Sequence, residues 1–149
     1  MSKLFKDISK EVITALKAGD KIKTGTLRFL LAAIKSYEID AYPPGSTTSL
    51  TDEEVIKVIQ KQVKTHKESI AAYAKGNRAD LKLKEEAELA ILSTYLPPQL
   101  TAAQIREIVH NVTASGMTTF GQVMGVVMKE LKGKADGAQV KQIVQEELK

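Results

Sequence analysis

Four lysines and three glycines that could do chemistry crowd one stretch, "FGQVMGVVMKELKGKADGAQVK" (120–141): Lys129, Lys132, Lys134 and Lys141, with Gly121, Gly125 and Gly133. Lysine ammonium groups neutralise phosphates, and each such contact releases counterions from a nucleic-acid backbone. A glycine-rich turn can instead cradle an anion with backbone amides. The spacing separates these two chemistries. Asp136 suits the N-cap of a following helix, where its carboxylate would occupy the free amides an anion needs. Gly133 suits the left-handed residue just past a helix end, and Lys129 and Lys132 in the last turn complement the helix dipole. The stretch therefore predicts a helix, a glycine turn, an aspartate cap and another helix. Any phosphate contact rests on lysine heads. Gly121 and Gly125 each cost a helix about 1 kcal/mol relative to alanine. Four residues apart, they leave a bare strip for a neighbouring helix or a ligand backbone.

A second basic set, Lys57, Lys61, Lys64 and Lys75, falls on one edge of a helix, with Lys67 nearby and Glu68 interrupting it. It reads as a solvated face or as a secondary phosphate-binding stripe. Arg28 and Lys35, seven apart, share a face of an earlier helix.

Catalytic equipment is scarce. His66 falls among Ile59, Val63 and Ile70 on a helical wheel, which predicts a partly buried helix residue and not a base. His110 has neither a carboxylate nor a second histidine at i+3 or i+4 with which to make a metal pair. The pairs Glu53–Glu54 and Glu85–Glu86 lie beside lysines, as solvated faces with local ion pairing do. There is no GxxxxGK[ST] loop, no GxSxG elbow and no GxGxxG after a strand. We expect no catalytic residue, no metal and no cofactor.

The elements that position these residues all read as helices. Leu4, Phe5, Ile8, Val12 and Leu16 recur at helical spacing before Gly19; Asp20 opens a second helix with Leu27, Leu30, Leu31, Ile34 and Tyr37 on one face. After the breaker-rich "PPGSTT" (43–48), the capping box Thr51–Glu54 opens a long helix to about Lys75, with Val55, Ile56, Ile59, Val63 and Ile70 inward. A fourth helix spans about 79–94. Pro97–Pro98 cannot continue it, and Thr101–Gln104 is a second capping box. Three short helices follow, at about 102–114, 119–131 and 137–148. The last of these faces inward through Val140, Ile143, Val144 and Leu148. The sixth carries an apolar stripe of Phe120, Val123, Met124, Val127, Met128 and Leu131. The fold class is all-α: an N-terminal bundle of about four helices (1–96) and a small three-helix C-terminal domain (97–149).

Composition narrows the function. A net charge of +4 is compatible with a nucleic-acid partner without requiring one. Aromatic residues are only 5% of the chain and tryptophan is absent, so few platforms exist for stacking single-stranded bases. No stretch approaches the eighteen or so apolar residues of a membrane span. The start "MSKLFKD" has no apolar core of the signal-peptide type, and there is no cysteine for a disulfide frame or thiolate site. These features suggest a cytoplasmic protein.

Three stretches, "TLRFLLAAIKSYEID" (26–40), "KESIAAYAKGNRADL" (67–81) and "EEAELAILSTYLPPQL" (85–100), resemble the YqeY-like proteins. The stretch "VMGVVMKELKGKADGAQVKQIVQEEL" (123–148) resembles the tail domain of the B subunit of the tRNA-dependent amidotransferase. The resemblance runs from about Leu4 to the end of the chain. It implies two all-α domains and, from the tail's role in holding the tRNA body, contact with tRNA. It also carries a label of carbon–nitrogen ligase with glutamine as amido donor, yet this chain has no serine-rich amidase signature and no cradle for ATP and magnesium. Residue by residue, Gly121, Gly125, Lys132, Gly133, Lys134 and Ala135 match the tail's glycine-and-lysine pattern. The leading expectation is a non-catalytic module that binds tRNA or another RNA. The alternatives are an accessory component of a glutamine-dependent carbon–nitrogen ligase and a protein-interaction module.

Overall fold

A computed structural model describes residues 2–149; Met1, the first residue of "MSKLFKD", lies outside the described residues. Among the described residues there are seven helices and no strand: α1 Lys3–Lys17, α2 Lys21–Ala41, α3 Asp52–Lys75, α4 Ala79–Ser93, α5 Ala102–Ala114, α6 Phe120–Leu131 and α7 Gly137–Glu147. They fall into two compact units, Met1–Leu96 and Pro97–Lys149.

In the first unit the apolar faces of α1 to α4 close around Ile8, Leu27, Leu30, Ile34, Val55, Ile59, Val63 and Leu92. Each such side chain, fully removed from water, contributes about 1.5–3 kcal/mol. Asp20 caps α2 by accepting from the Lys23 amide at 3.0 Å. Thr51 and Glu54 form the reciprocal box: Glu54 N–H donates to Thr51 Oγ1 at 3.2 Å, and Thr51 N–H donates to Glu54 Oε2 at 2.9 Å. Leu50, just before the cap, is buried with Val55 in the same core, so a hydrophobic staple fixes the entry into α3. One expected core residue is misplaced. Leu16 is exposed and Ala15 is buried instead, because the inward stripe of α1 runs 8, 12, 15 and not 8, 12, 16.

The second unit buries Ile105, Val109, Val112, Val123, Val127, Leu131, Val140, Ile143 and Val144. Its entry repeats the same device. Thr101 and Gln104 make a capping box, and Leu100 packs against the core that holds Ile105. On α6 the middle of the predicted stripe is buried, but Phe120 and Met128 at its edges are 38% and 39% exposed. Leu148 is only partly buried.

Candidate nucleic-acid interface

The junction between α6 and α7 is built almost entirely from local rules, with one departure. Asp136 caps α7 by accepting from the Ala138 amide at 3.1 Å, so its carboxylate occupies the first-turn position an anion would use. The departure is at Lys132. It is itself left-handed, with φ of 39°, and Gly133 follows at 81°. The local rule assigns that conformation to Gly133 alone. A non-glycine residue there costs on the order of 1 kcal/mol. The backbone meets this cost with two bonds: Lys132 N–H to Met128 O at 3.3 Å and Lys134 N–H to Leu131 O at 2.8 Å.

A second support comes from far along the chain. Leu100 N–H donates to Lys134 O at 2.8 Å, and the Gln99 amide donates to Gly133 O at 3.0 Å and to Pro97 O at 2.8 Å. Ala135 is buried in the core of the unit. The turn is thus held by its carbonyls on one side and by a methyl anchor on the other. No local sequence signal links Gln99 and Leu100 to residues about 34 positions later.

The side chains behave differently from the backbone. Lys129, Lys132, Lys134 and Lys141 are all exposed. Among the described residues no carboxylate lies within ion-pair distance of their ammonium groups. The acids at the end of α7 are engaged elsewhere. Arg106 reaches Glu146 at 3.0 Å and Glu147 at 3.8 Å, and the exposed His110 stands 3.9 Å from Glu147. Helix α7 is therefore basic near its start at Lys141 and acidic at its end. Gly121 and Gly125 are exposed, and a methyl at either would meet nothing within 4 Å. Close packing by a neighbouring helix of the chain therefore does not account for the bare strip they leave.

In the first unit Lys57, Lys61 and Lys64 are exposed along α3 and form no ion pair among the described residues. Lys57 lies in the field of Glu54, whose carboxyl is held below its ordinary range mainly by the Tyr42 hydroxyl. Tyr42 donates to Glu54 at 2.7 Å, and its own hydroxyl is pushed up to about 12. Glu86 pairs with Lys82 at 3.7 Å on the solvated face, as expected. Glu85 does not; it turns inward and binds His66 Nδ1, with Glu88 3.7 Å from the same nitrogen.

Fold and site together define an all-α helical protein with an anchored turn that displays exposed lysines. Residues 5–148 match the Yqey-like protein family, and the chain belongs to it. Among its relatives is "Altered inheritance of mitochondria protein 41, mitochondrial" of Vanderwaltozyma polyspora, 37% identical over 95 residues, which are 64% of this chain and 49% of that protein. The protein of the same name from Pyrenophora tritici-repentis is 30% identical over 145 residues, 93% of this chain and 77% of that one. A stretch of 96 residues, 64% of this chain, is 31% identical to 14% of a glutamyl-tRNA(Gln) amidotransferase subunit of Thermococcus sibiricus. The matched stretch thus spans about half of the Vanderwaltozyma relative. These relatives correct the expectation of a cytoplasmic protein, because the fungal ones are named as mitochondrial. The cysteine-free composition behind that expectation does not distinguish one compartment from another. Among the described residues no helix is long and apolar enough to cross a membrane.

Proposed function

We propose that the chain is a non-catalytic RNA-binding module whose ligand is a folded RNA of the tRNA type. The observation that carries this reading is the α6–α7 turn. Its carbonyls and its Ala135 methyl are held, while Lys129, Lys132, Lys134 and Lys141 stand exposed with no ion pair among the described residues. Exposed ammonium groups carried on a held backbone can meet phosphates on a folded RNA without needing aromatic stacking. The open strip at Gly121 and Gly125 would let an RNA strand approach the helix closely. The likeness to a protein named as part of a glutamyl-tRNA(Gln) amidotransferase supports tRNA as the class of RNA. Lys57, Lys61 and Lys64 form a secondary stripe in this reading, and the two compact units act as two domains, 1–96 and 97–149.

Equilibrium binding of folded tRNA to the full chain tests the assignment. Replacing Lys129, Lys132 and Lys134 together by alanine should weaken binding at least about tenfold, since several phosphate contacts are lost. Unchanged affinity would remove the site. The same likeness supports a second reading, in which the chain is an accessory of a glutamine-dependent carbon–nitrogen ligase. Glutamine- and ATP-dependent conversion of glutamyl-tRNA in the presence of partner subunits, but not without this chain, would establish it.

A further inference from the structure

Helices α2, α3 and α4 enclose a recess of about 340 Å³ lined by Gly25, Thr26, Gln62, His66, Glu85 and Glu88, among others. Its ionisable wall is made from two helices. His66 comes from α3, and Glu85 and Glu88, one turn apart, come from α4. Glu85 binds His66 Nδ1 directly and Glu88 Oε2 stands 3.7 Å from it, with one nitrogen and two carboxylate oxygens all within 4.8 Å of one another. The three side chains are only 13%, 19% and 21% exposed.

Two carboxylates held together and partly withdrawn from water repel each other, and a cation relieves that cost. Among the described residues no lysine or arginine pairs with Glu85 or Glu88, and Lys82 pairs instead with Glu86. Even with its ring protonated, His66 balances only one of the two negative charges. The recess beside them leaves room for further ligands, and Gly25, with no side chain to fill it, has open space around it.

One imidazole nitrogen and two carboxylate oxygens form a donor set that suits zinc and the neighbouring first-row divalent ions. In a tetrahedral zinc site the donors stand roughly 3.3 Å apart, given metal–ligand distances near 2.0–2.2 Å. The 3.7 Å between His66 Nδ1 and Glu88 Oε2 is near that value, and on binding a metal Glu85 would have to draw back from the ring it now touches. We propose that His66, Glu85 and Glu88 bind a divalent transition-metal ion, which joins α3 to α4 across the Gly76–Asn77 turn and keeps its remaining coordination positions open to the recess. The site is independent of the RNA reading. It shares no residue with the lysine-bearing turn.

The test is calorimetric titration of the chelator-stripped full chain with zinc sulfate, and with manganese chloride in parallel, alongside thermal unfolding in the same solutions. One zinc per chain and a higher melting temperature with zinc are expected. Glu88→Gln and His66→Gln should each weaken zinc binding by at least about tenfold. His110→Gln, at the other histidine, should leave it unchanged. Circular dichroism in chelator checks that each variant folds; if His66→Gln does not, Glu88→Gln alone decides. No binding by the wild-type chain, zinc affinity unaltered in Glu88→Gln, or loss of the single site in His110→Gln would each overturn the proposal.

Discussion

Two regions of the molecule, the surroundings of His66 and the α6–α7 turn, hold their charges in opposite ways. Near His66 the charged groups are partly buried and turned on one another, with two carboxylates against one imidazole. At the α6–α7 turn the backbone is bonded and the charged heads are left to solvent. Burying like charges together is costly unless a counter-charge arrives, whereas unpaired surface charge costs little and is available to a large anion. One arrangement suits a small cation and the other a polyphosphate surface. Net charge does not draw this distinction, since residues 97–149 carry six basic and five acidic residues. What differs is where the acids are held.

The largest expected effect tests whether the turn depends on the core beneath it. Ile105→Ala, at a fully buried position, should cost about 2–5 kcal/mol and release the turn along with α5. Hydrogen exchange should rise across 102–147 while the interior of the first unit, 55–63 for example, stays protected. Uniform loss of protection in both units would show that they do not unfold separately.

A smaller effect of opposite sign sharpens the reading of the bare strip. Gly125→Ala meets open space and should raise stability by up to about 1 kcal/mol, measured by denaturant unfolding. If RNA approaches the α6 backbone, the same change lowers tRNA affinity. A gain in stability with affinity unchanged confines the contact to the lysines.

The smallest effect concerns acid. Asp52 accepts from the Ser2 hydroxyl and, at 3.1 Å, from the Leu4 amide; mainly through these bonds its carboxyl lies below the ordinary 3.8. A folded value below the unfolded one stabilises the first unit above pH 3.8, and this support is lost as the pH falls through the lower folded value. Asp52→Asn should therefore melt slightly below wild type at neutral pH, and the two should converge as the pH falls through the lowered folded value of Asp52. Asp52 is exposed and water screens it, so the difference is modest.

How much of this was legible in the sequence depends on the reach of each interaction. The helices end within a residue or two of where periodicity, glycines and capping residues placed them, because those signals are local. Asp20, Asp136 and both capping boxes act as their positions predict. The pairing of His66 with Glu85, 19 residues away beyond a turn, was not legible, because it depends on how α3 and α4 pack. On a wheel Glu85 looks like any solvated acid beside a lysine. The grip of Gln99 and Leu100 on the α6–α7 turn is likewise tertiary. The left-handed Lys132 has a different cause. A glycine stands next to it, and the local rule assigns that conformation to the glycine.

The most direct test that the α6–α7 turn is the RNA interface is the salt dependence of tRNA affinity for three chains: wild type, Lys129/Lys132/Lys134→Ala and Lys57/Lys61/Lys64→Ala. Each phosphate contact contributes roughly 0.7–0.9 to the slope of log affinity against log salt. If the turn carries the interface, the first variant loses roughly two units of slope and the second loses a smaller amount. A wild-type slope retained in the turn variant and lost in the α3 variant would contradict the account.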